Sequence, residues 1–403
     1  MSPSDGRGAS PARPGTRFLD FSIDEYKQRY ANVQRAMRRA NIAGLVLSDP
    51  SNLIYLTGYR TILYQSKFRP FYAIVPADGE PVLVLPNLEV GDGRKTSWVE
   101  DIRGWGKGLF ADRPDAPTII REVAEERRLR TGRIGFELAV GQRLAMTYDQ
   151  FEALRAIFAD AELVNAADIM WSVRVKKSPQ EIAYLRTACT ATDAAFDAAV
   201  EAAREGVTET TLQRVLGVTM MEHGAESPGF LVVASGPDRY DMLNPYASSR
   251  ALRRGDMLNF DIGAVYKGYW GDLTRGVFIG EVSKRQREFY EAESEIFHRT
   301  LHAVKPGIAI QDVDKVAETT TRELGYEKFM LHRTGHALGL DVHEIPSVAP
   351  GDTTVLQPGM VITIEPGIYD FAIGAFRIED TVLVTDKGFE TLTNCNRELT
   401  VRP

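Results

Sequence analysis

Apolar residues recur at helical spacing in "SIDEYKQRYANVQRAMRRANIAG" (22–44), where Tyr30, Val33 and Met37 mark one face. Ser22 ahead of Asp24 and Glu25 supplies the start signal, so an amphipathic helix is expected. A short apolar run, "GLVLSD" (44–49), reads as a buried strand, and "FYAIVP" (71–76) and "PVLVLP" (81–86) around the turn "ADGE" read as a hairpin. "PTIIREVAEERRLR" (117–130) and "TYDQFEALRAIF" (147–158) repeat the helical spacing on either side of a strand, "RIGFEL" (133–138). Alternation of this kind predicts a compact α/β unit over the first 170 or so residues.

The pattern changes near "RVKKSPQEIAYLRTACTATDAAFDAAVEAA" (174–203), where Ser178, Pro179 and Glu181 announce a long Ala-rich helix. Further helical patterns at 208–223, 283–303 and 310–324 are interleaved with strand-like segments, which is the pattern of an α+β domain. One of these, "DMLNFDIGAVYKGYWGDLTRGVFIG" (256–280), reads as a β-hairpin turning at Lys267-Gly268. That register sets Tyr266 opposite Tyr269 and Asp261 opposite Thr274, with Asp272 diagonal to Asp261 on the same face. Two more strands are expected, in "GMVITIEPGIY" (359–369), ending at Glu365, and in "AFRIEDTVLV" (375–384), where Arg377, Glu379 and Thr381 share a face.

A chain of 403 residues is long for a single core, which agrees with two domains. The expected division is a disordered tail at 1–16, an N-terminal domain at 17–172 and a catalytic domain at 173–403. The tail, "MSPSDGRGASPARPGT", is rich in Gly, Ser and Pro and has none of the apolar stretch of a signal peptide. A net charge of −7 argues against a nucleic-acid partner. No apolar run approaches the roughly 18 residues of a membrane span. Cys189 and Cys395 are the only cysteines and form no CxxC pattern, which suits a cytoplasmic location. The glycine-rich "GWGKG" (104–108) does not fit GxGxxG and is expected to be a loop.

The chemistry concentrates in "RTGHALGLDVHEIPS" (333–347), which holds His336 and His343 in a chain with six histidines. His332 and His336 are four apart, but Thr334, Gly335 and Gly339 are poor helix residues and no HExxH is present, so His332 reads as a supporting residue. Asp261 or Asp272 alone reads as a solvated carboxylate. Two such acids on one strand face, joined by Glu365 and Glu379 within apolar strands, would repel one another and resist burial. Together with His336 they make five ligand-type side chains, for which bound cations are the simplest stabiliser. Four carboxylates and one imidazole exceed a single tetrahedral zinc site and suit two divalent ions about 3.5 Å apart. Oxygen-rich ligation favours Mn²⁺ over Fe²⁺, Co²⁺ or Zn²⁺.

These motifs resemble those of the M24 "pita-bread" metallopeptidase family of Xaa-Pro aminopeptidase, prolidase, methionine aminopeptidase and creatinase. "DIG…GDLTR", "TGHALGLDVHE", "ITIEPGIY" and "FRIEDTVLV" match its metal-ligand motifs in order, and "LSDPSNLIYLTGY" (47–59) and "RVKKSPQEIAYLR" (174–186) look like its N-terminal domain and inter-domain junction. The resemblance implies a creatinase-like α/β N-terminal domain and an α+β pita-bread catalytic domain. It implies metal ligation by Asp261, Asp272, His336, Glu365 and Glu379, and attack by a metal-bound hydroxide on an amide C–N bond. It gives His343 a hydrogen bond to substrate near the scissile bond, Glu365 the proton transfer and Arg377 the task of holding the carboxylates. Gly335 and Gly339 would let the backbone pass close to the site. Peptidases of the family usually carry a further histidine some seventeen residues before the first metal Asp; in "SGPDRYDMLNPYASSRALRRGD" (235–256) Asn244 stands roughly there. "SKFRPFYAIV" (66–75) resembles a creatinase segment that crosses a homodimer, which would make Arg69 a substrate-carboxylate anchor. The leading expectation is therefore hydrolysis of an X-Pro dipeptide or a related small substrate. The alternatives are a creatinase-like or ectoine-hydrolase-like enzyme, or a lyase, acting on a small non-peptide metabolite, and, third, a non-catalytic binding module.

Overall fold

The computed structural model describes residues 16–107 and 114–403, so the segment expected to be a tail falls, but for Thr16, outside the described residues. The chain divides into two compact units, the first ending at Val173 and the second beginning at Arg174.

The first unit is built on a six-stranded mixed sheet in the order Asp101–Trp105, Val82–Pro86, Tyr72–Pro76, Gly44–Leu47, Gly132–Phe136, Ala161–Asn165. The expected hairpin supplies its second and third strands, with Tyr72 opposite Val84. The helix Ile23–Arg39 starts at Ser22, whose hydroxyl caps the Glu25 amide, and buries Tyr30, Val33 and Met37 as the spacing requires. Two strands escaped the periodicity. Asp101–Trp105 and Ala161–Asn165 lie at the sheet's edges and are only partly buried, so no apolar alternation marks them. The first of them takes in Gly104 and Trp105 of the segment expected to be a loop. A Cβ at Gly104 would come within 2.6 Å of Asn87 Oδ1, so the glycine lets this edge strand lie close to the turn Asn87–Glu89.

The second unit contains two similar layers. The helices Pro179–Ala202 and Glu209–Glu222 share a core with the sheet Thr400–Arg402, Leu273–Ile279, Met257–Tyr266, Ser227–Ser235, through Phe196, Leu212, Phe260 and Leu273. The helices Lys284–Ala303 and Ile310–Glu323 share another with the sheet Glu344–Val348, Gly335–Ala337, Val361–Ile364, Asp380–Thr385, Gly388–Thr391, through Phe297, Val313, Ile362 and Val382. A bridge between Thr274 and Glu379 joins the two sheets. This two-layered α+β arrangement is the pita-bread architecture. Among the described residues, no helix is long and apolar enough to cross a membrane.

The hairpin that carries the two aspartates has the expected register, with Tyr266 opposite Tyr269 and Asp261 opposite Thr274. Lys267 (φ 52°) and Gly268 (φ 81°) both take the left-handed region, as a two-residue type I′ turn requires. The stretch 375–384, expected as one strand, is two. Gly374–Arg377 pairs with Gly367–Asp370 in a separate ribbon, and Asp380–Thr385 pairs with Val361–Ile364. The break at Ile378 and Glu379 lets the chain change sheets, so Arg377 and Glu379 meet by a switch between partners and not along one pleated face.

Candidate metal centre

The switch between sheets is what gathers the acids. Asp261 leaves the middle of Met257–Tyr266, Asp272 stands just before Leu273–Ile279, Glu365 follows Val361–Ile364 directly, and Glu379 sits in the break; His336 lies on Gly335–Ala337. All five side chains are buried. Asp272, His336 and Glu379 offer ligand atoms within 4.8 Å of one another. His336 Nε2 lies 3.2 Å from Glu365 Oε1 and 3.6 Å from Asp272 Oδ2. His336 Nδ1 is 3.1 Å from the Ala337 carbonyl, an acceptor only, so Nδ1 carries a proton and Nε2 is the nitrogen that faces the acids.

Among the described residues, Arg377 is the one guanidinium inside the cluster. It donates to Asp261, its Nε reaches Thr274 Oγ1 at 3.1 Å, and its Nη1 lies 3.7 Å from Glu365 Oε2. Three threonines complete the frame. Thr274 Oγ1 donates to Glu379 Oε2 at 2.6 Å, Thr363 Oγ1 donates to Glu365 Oε1 at 3.2 Å, and Thr381 Oγ1 accepts the Asp272 amide at 3.2 Å. Thr363 Oγ1 also accepts the His336 amide at 3.0 Å. None of these hydroxyls was singled out as a site residue on sequence grounds, yet each lies two positions from an acid of the cluster: Asp272 and Thr274, Thr363 and Glu365, Glu379 and Thr381. Gly335 makes room for this packing, since a Cβ there would come within 2.2 Å of the Thr363 carbonyl oxygen.

The electrostatics are those of an overcrowded acidic site. Burial pushes the Asp272 and Glu379 carboxyls well above the usual range, and the neighbouring carboxylates push in the same direction. Asp261 is raised by burial against the opposing pull of Arg377. Burial acts on Glu365 too, but hydrogen bonding to His336 and the charge of Arg377 outweigh it and hold this carboxyl at about 2. One arginine cannot balance four carboxylates, and an oxygen-rich donor set with one imidazole lone pair is suited to divalent cations.

The cluster floors a cavity of about 790 Å³, also lined by Asn244, His332, Arg333 and His343 and walled by Phe230, Leu231, Pro245, Tyr246 and Trp270. His343 opens to this cavity, its ring centroid 4.3 Å from that of His336. Partial desolvation, with positive potential from His336 and Arg333, lowers it to about 4, so at neutral pH it is an uncharged donor and acceptor. His332 has both ring nitrogens engaged: Nδ1 donates to the Arg333 carbonyl at 2.7 Å, and Nε2 accepts from the Tyr369 hydroxyl at 2.6 Å. Asn244 is exposed on the cavity wall. Arg69 is exposed on the first unit.

Buried carboxylates that converge on one histidine across two joined sheets define a metal-dependent hydrolase. The model of metallopeptidase family M24 matches residues 183–386, and the creatinase/prolidase N-terminal domain matches 29–176. The chain is 31% identical over 373 residues to the Xaa-Pro dipeptidase of Pyrococcus furiosus, covering 93% of this chain and 99% of that one. The crystal structure of a prolidase from Thermococcus sibiricus superposes with a TM-score of 0.85 at 30% identity, over 95% of this chain and all of that one. An X-Pro aminopeptidase from Thermotoga maritima superposes with a TM-score of 0.79 at 26% identity, over 93% of this chain and 99% of that one. The chain belongs to metallopeptidase family M24 and is a metallohydrolase that uses divalent metal ions.

Proposed function

We propose that this protein is a prolidase-like dipeptidase that hydrolyses the amide bond of Xaa-Pro dipeptides with two divalent ions, Mn²⁺ being the best match to the donors. The observation that carries the reading is the buried clustering of Asp261, Asp272, Glu365 and Glu379 with His336, whose Nε2 faces Glu365 and Asp272, at the floor of an open cavity. Its support from relatives is a likeness to Xaa-Pro dipeptidase across almost the full length of both chains. Asp261, Asp272, His336, Glu365 and Glu379 would hold the ions. When bound, such ions polarise a carbonyl and make a water acidic enough to attack it near neutral pH.

The chain's own residues do the rest. Glu365, steadied by Thr363, takes the proton from the attacking water and returns it to the leaving amine. His343, uncharged and facing the cavity, donates a hydrogen bond to the oxyanion that forms on the carbonyl. Arg377 keeps Asp261 and Glu365 apart from one another's charge. His332, tied to Tyr369, fixes the cavity wall beside the substrate. The same reading has the protein work as a homodimer in a reducing cytoplasm, where the buried free thiols of Cys189 and Cys395 would persist.

A second reading has one specific observation in its favour. Asn244, which cannot relay a proton, stands on the cavity wall where the family's peptidases usually have a histidine. This suits a small non-peptide metabolite, in a creatinase-like or ectoine-hydrolase-like reaction or a lyase reaction. The two are separated by activity of the Mn²⁺-loaded protein on Ala-Pro, Gly-Pro-X tripeptides, Ala-Ala and small guanidino or cyclic amidine compounds. Turnover of Ala-Pro above the others is the expected result. Turnover only of guanidino or amidine compounds would replace the dipeptidase reading with the second one.

A further inference from the structure

Among the described residues, two arginines line the cavity, and they are not equivalent. Arg377 is buried and committed to Asp261, Thr274 and Glu365. Arg333 is exposed; among the described residues its side chain makes one hydrogen bond, Nη1 to Ser347 Oγ at 2.9 Å, and no ion pair. That single bond fixes where the guanidinium stands. Ser347 pairs directly with His336 across the strands Gly335–Ala337 and Glu344–Val348, so the two side chains share a face. A guanidinium held at Ser347 therefore stands beside the metal-site histidine at the cavity wall. It is also close enough to His343 to make that ring harder to protonate.

A dipeptide is an awkward ligand for this cavity. Its carboxylate lies one residue past the scissile bond, about 3.8 Å from Cα to Cα, and the cavity floor is acidic. Such a terminus needs a nearby cation with hydrogen bonds to spare. A guanidinium using one N–H on a serine keeps four, including a pair that can form a bidentate fork. A longer peptide would offer an uncharged carbonyl at the same place. From this geometry we infer that Arg333 binds the free C-terminal carboxylate of the substrate and is the residue that selects dipeptides over longer or C-terminally blocked chains. The inference rests on the amide-hydrolase reading above, and it gives Arg333 the anchoring role that the sequence suggested for Arg69.

The test compares Ala-Pro with Ala-Pro amide, which differ in the terminal charge, using the full-length Mn²⁺-loaded protein and its Arg333→Ala, Arg333→Lys and Arg69→Ala variants. Bound metal and Tm are measured for each. The wild-type protein is expected to prefer the acid over the amide by about 10- to 100-fold in kcat/KM, the size of a charge-assisted hydrogen bond. In Arg333→Ala that preference should collapse towards unity, through KM of the acid, with metal content and Tm kept; Arg333→Lys should retain part of it. Equal loss on acid and amide, an unchanged preference, or a collapse in Arg69→Ala instead would overturn the assignment while leaving the hydrolase reading in place. Hydrolysis of neither compound by the wild-type protein would overturn both.

Discussion

Two groups of buried carboxylates in this protein meet the same physical problem in opposite ways. In the first unit, Glu137 lies buried against the start of the helix Pro50–Thr57. It accepts hydrogen bonds from the Ser48 amide at 2.7 Å, the Ser48 hydroxyl at 3.1 Å, the Asp49 amide at 2.8 Å and Asn52 Nδ2 at 2.8 Å. Asp49 in turn caps the Ser51 amide and accepts from the Arg143 amide. In the second unit, no side-chain or backbone donor among the described residues reaches the Asp272 carboxylate within hydrogen-bond distance, and its nearest neighbours in charge are other acids. A buried acid ringed by donors is a closed structural device. A buried acid facing other acids and an open cavity is an incomplete one, and what would complete it is positive charge. Burial and acidity alone do not separate the two cases; the direction in which the neighbours' polar atoms point does.

The comparison is tested most strongly by removing one acid from each group. Asp272→Ala or Glu379→Ala should lower hydrolytic activity by about 10³-fold or more, since the group loses a metal ligand. Bound divalent ion should fall while the circular-dichroism spectrum is kept. Because each change also removes a mutually repelling charge, the metal-free variant should melt no lower than the metal-free parent. Destabilisation comparable to that of a core truncation would mean that the acids are held together by the protein alone.

His343→Ala comes next in size. It should lower kcat by about 10²–10³-fold, as loss of an oxyanion donor does, and leave metal content unchanged. A drop in bound metal would instead make His343 a ligand.

Glu137→Ala should act the other way round. Four buried donors, the Ser48 amide and hydroxyl, the Asp49 amide and Asn52 Nδ2, would lose their acceptor, at a cost of about 3 kcal/mol in unfolding free energy. Metal content and the activity of the folded fraction should not move. Loss of metal on this change would erase the distinction between the two groups.

The smallest effect concerns Glu293, a third kind of buried acid. Both of its carboxylate oxygens are buried with no side-chain hydrogen bond, and burial raises it well above the usual range against the weaker pull of the Ile378 amide and the charge of Arg377. It sits on the helix Lys284–Ala303 among core residues. The unfolded chain ionises this group near pH 4.5 and the folded chain keeps the proton, so its contribution to stability is complete below that pH and is lost as pH rises. Glu293→Gln should therefore flatten the fall of Tm between about pH 5 and 8 and raise Tm at the upper end, by about 1–2 kcal/mol in stability. An unchanged pH slope would show that Glu293 is paired in solution.

Much of this was legible in the chain. The turn Lys267-Gly268 fixed the register that puts Asp261 opposite Thr274, because a two-residue loop leaves one pairing open. The helix starts at Ser22 and Ser178 were equally plain, since capping is local chemistry. What periodicity could not show was the break at Ile378 and Glu379. Local alternation is the same whether a run of residues stays with one partner strand or changes sheets. Arg333 was invisible for the related reason that its partner, Ser347, is fixed by strand pairing and not by nearness in sequence. The threonines two residues from the acids were in plain view and carried the signal unread.

The central claim is that the acidic group of the second unit is completed by divalent cations and that the completed site hydrolyses an Xaa-Pro bond. The direct measurement is a titration of the metal-stripped, full-length protein with Mn²⁺, in which bound metal and the rate of Ala-Pro hydrolysis are read on the same samples. The account predicts no turnover without metal and a rate that rises with occupancy to a plateau near two ions per chain. Hydrolysis at full rate in the stripped protein, or saturation with metal and no hydrolysis of Ala-Pro, would contradict it.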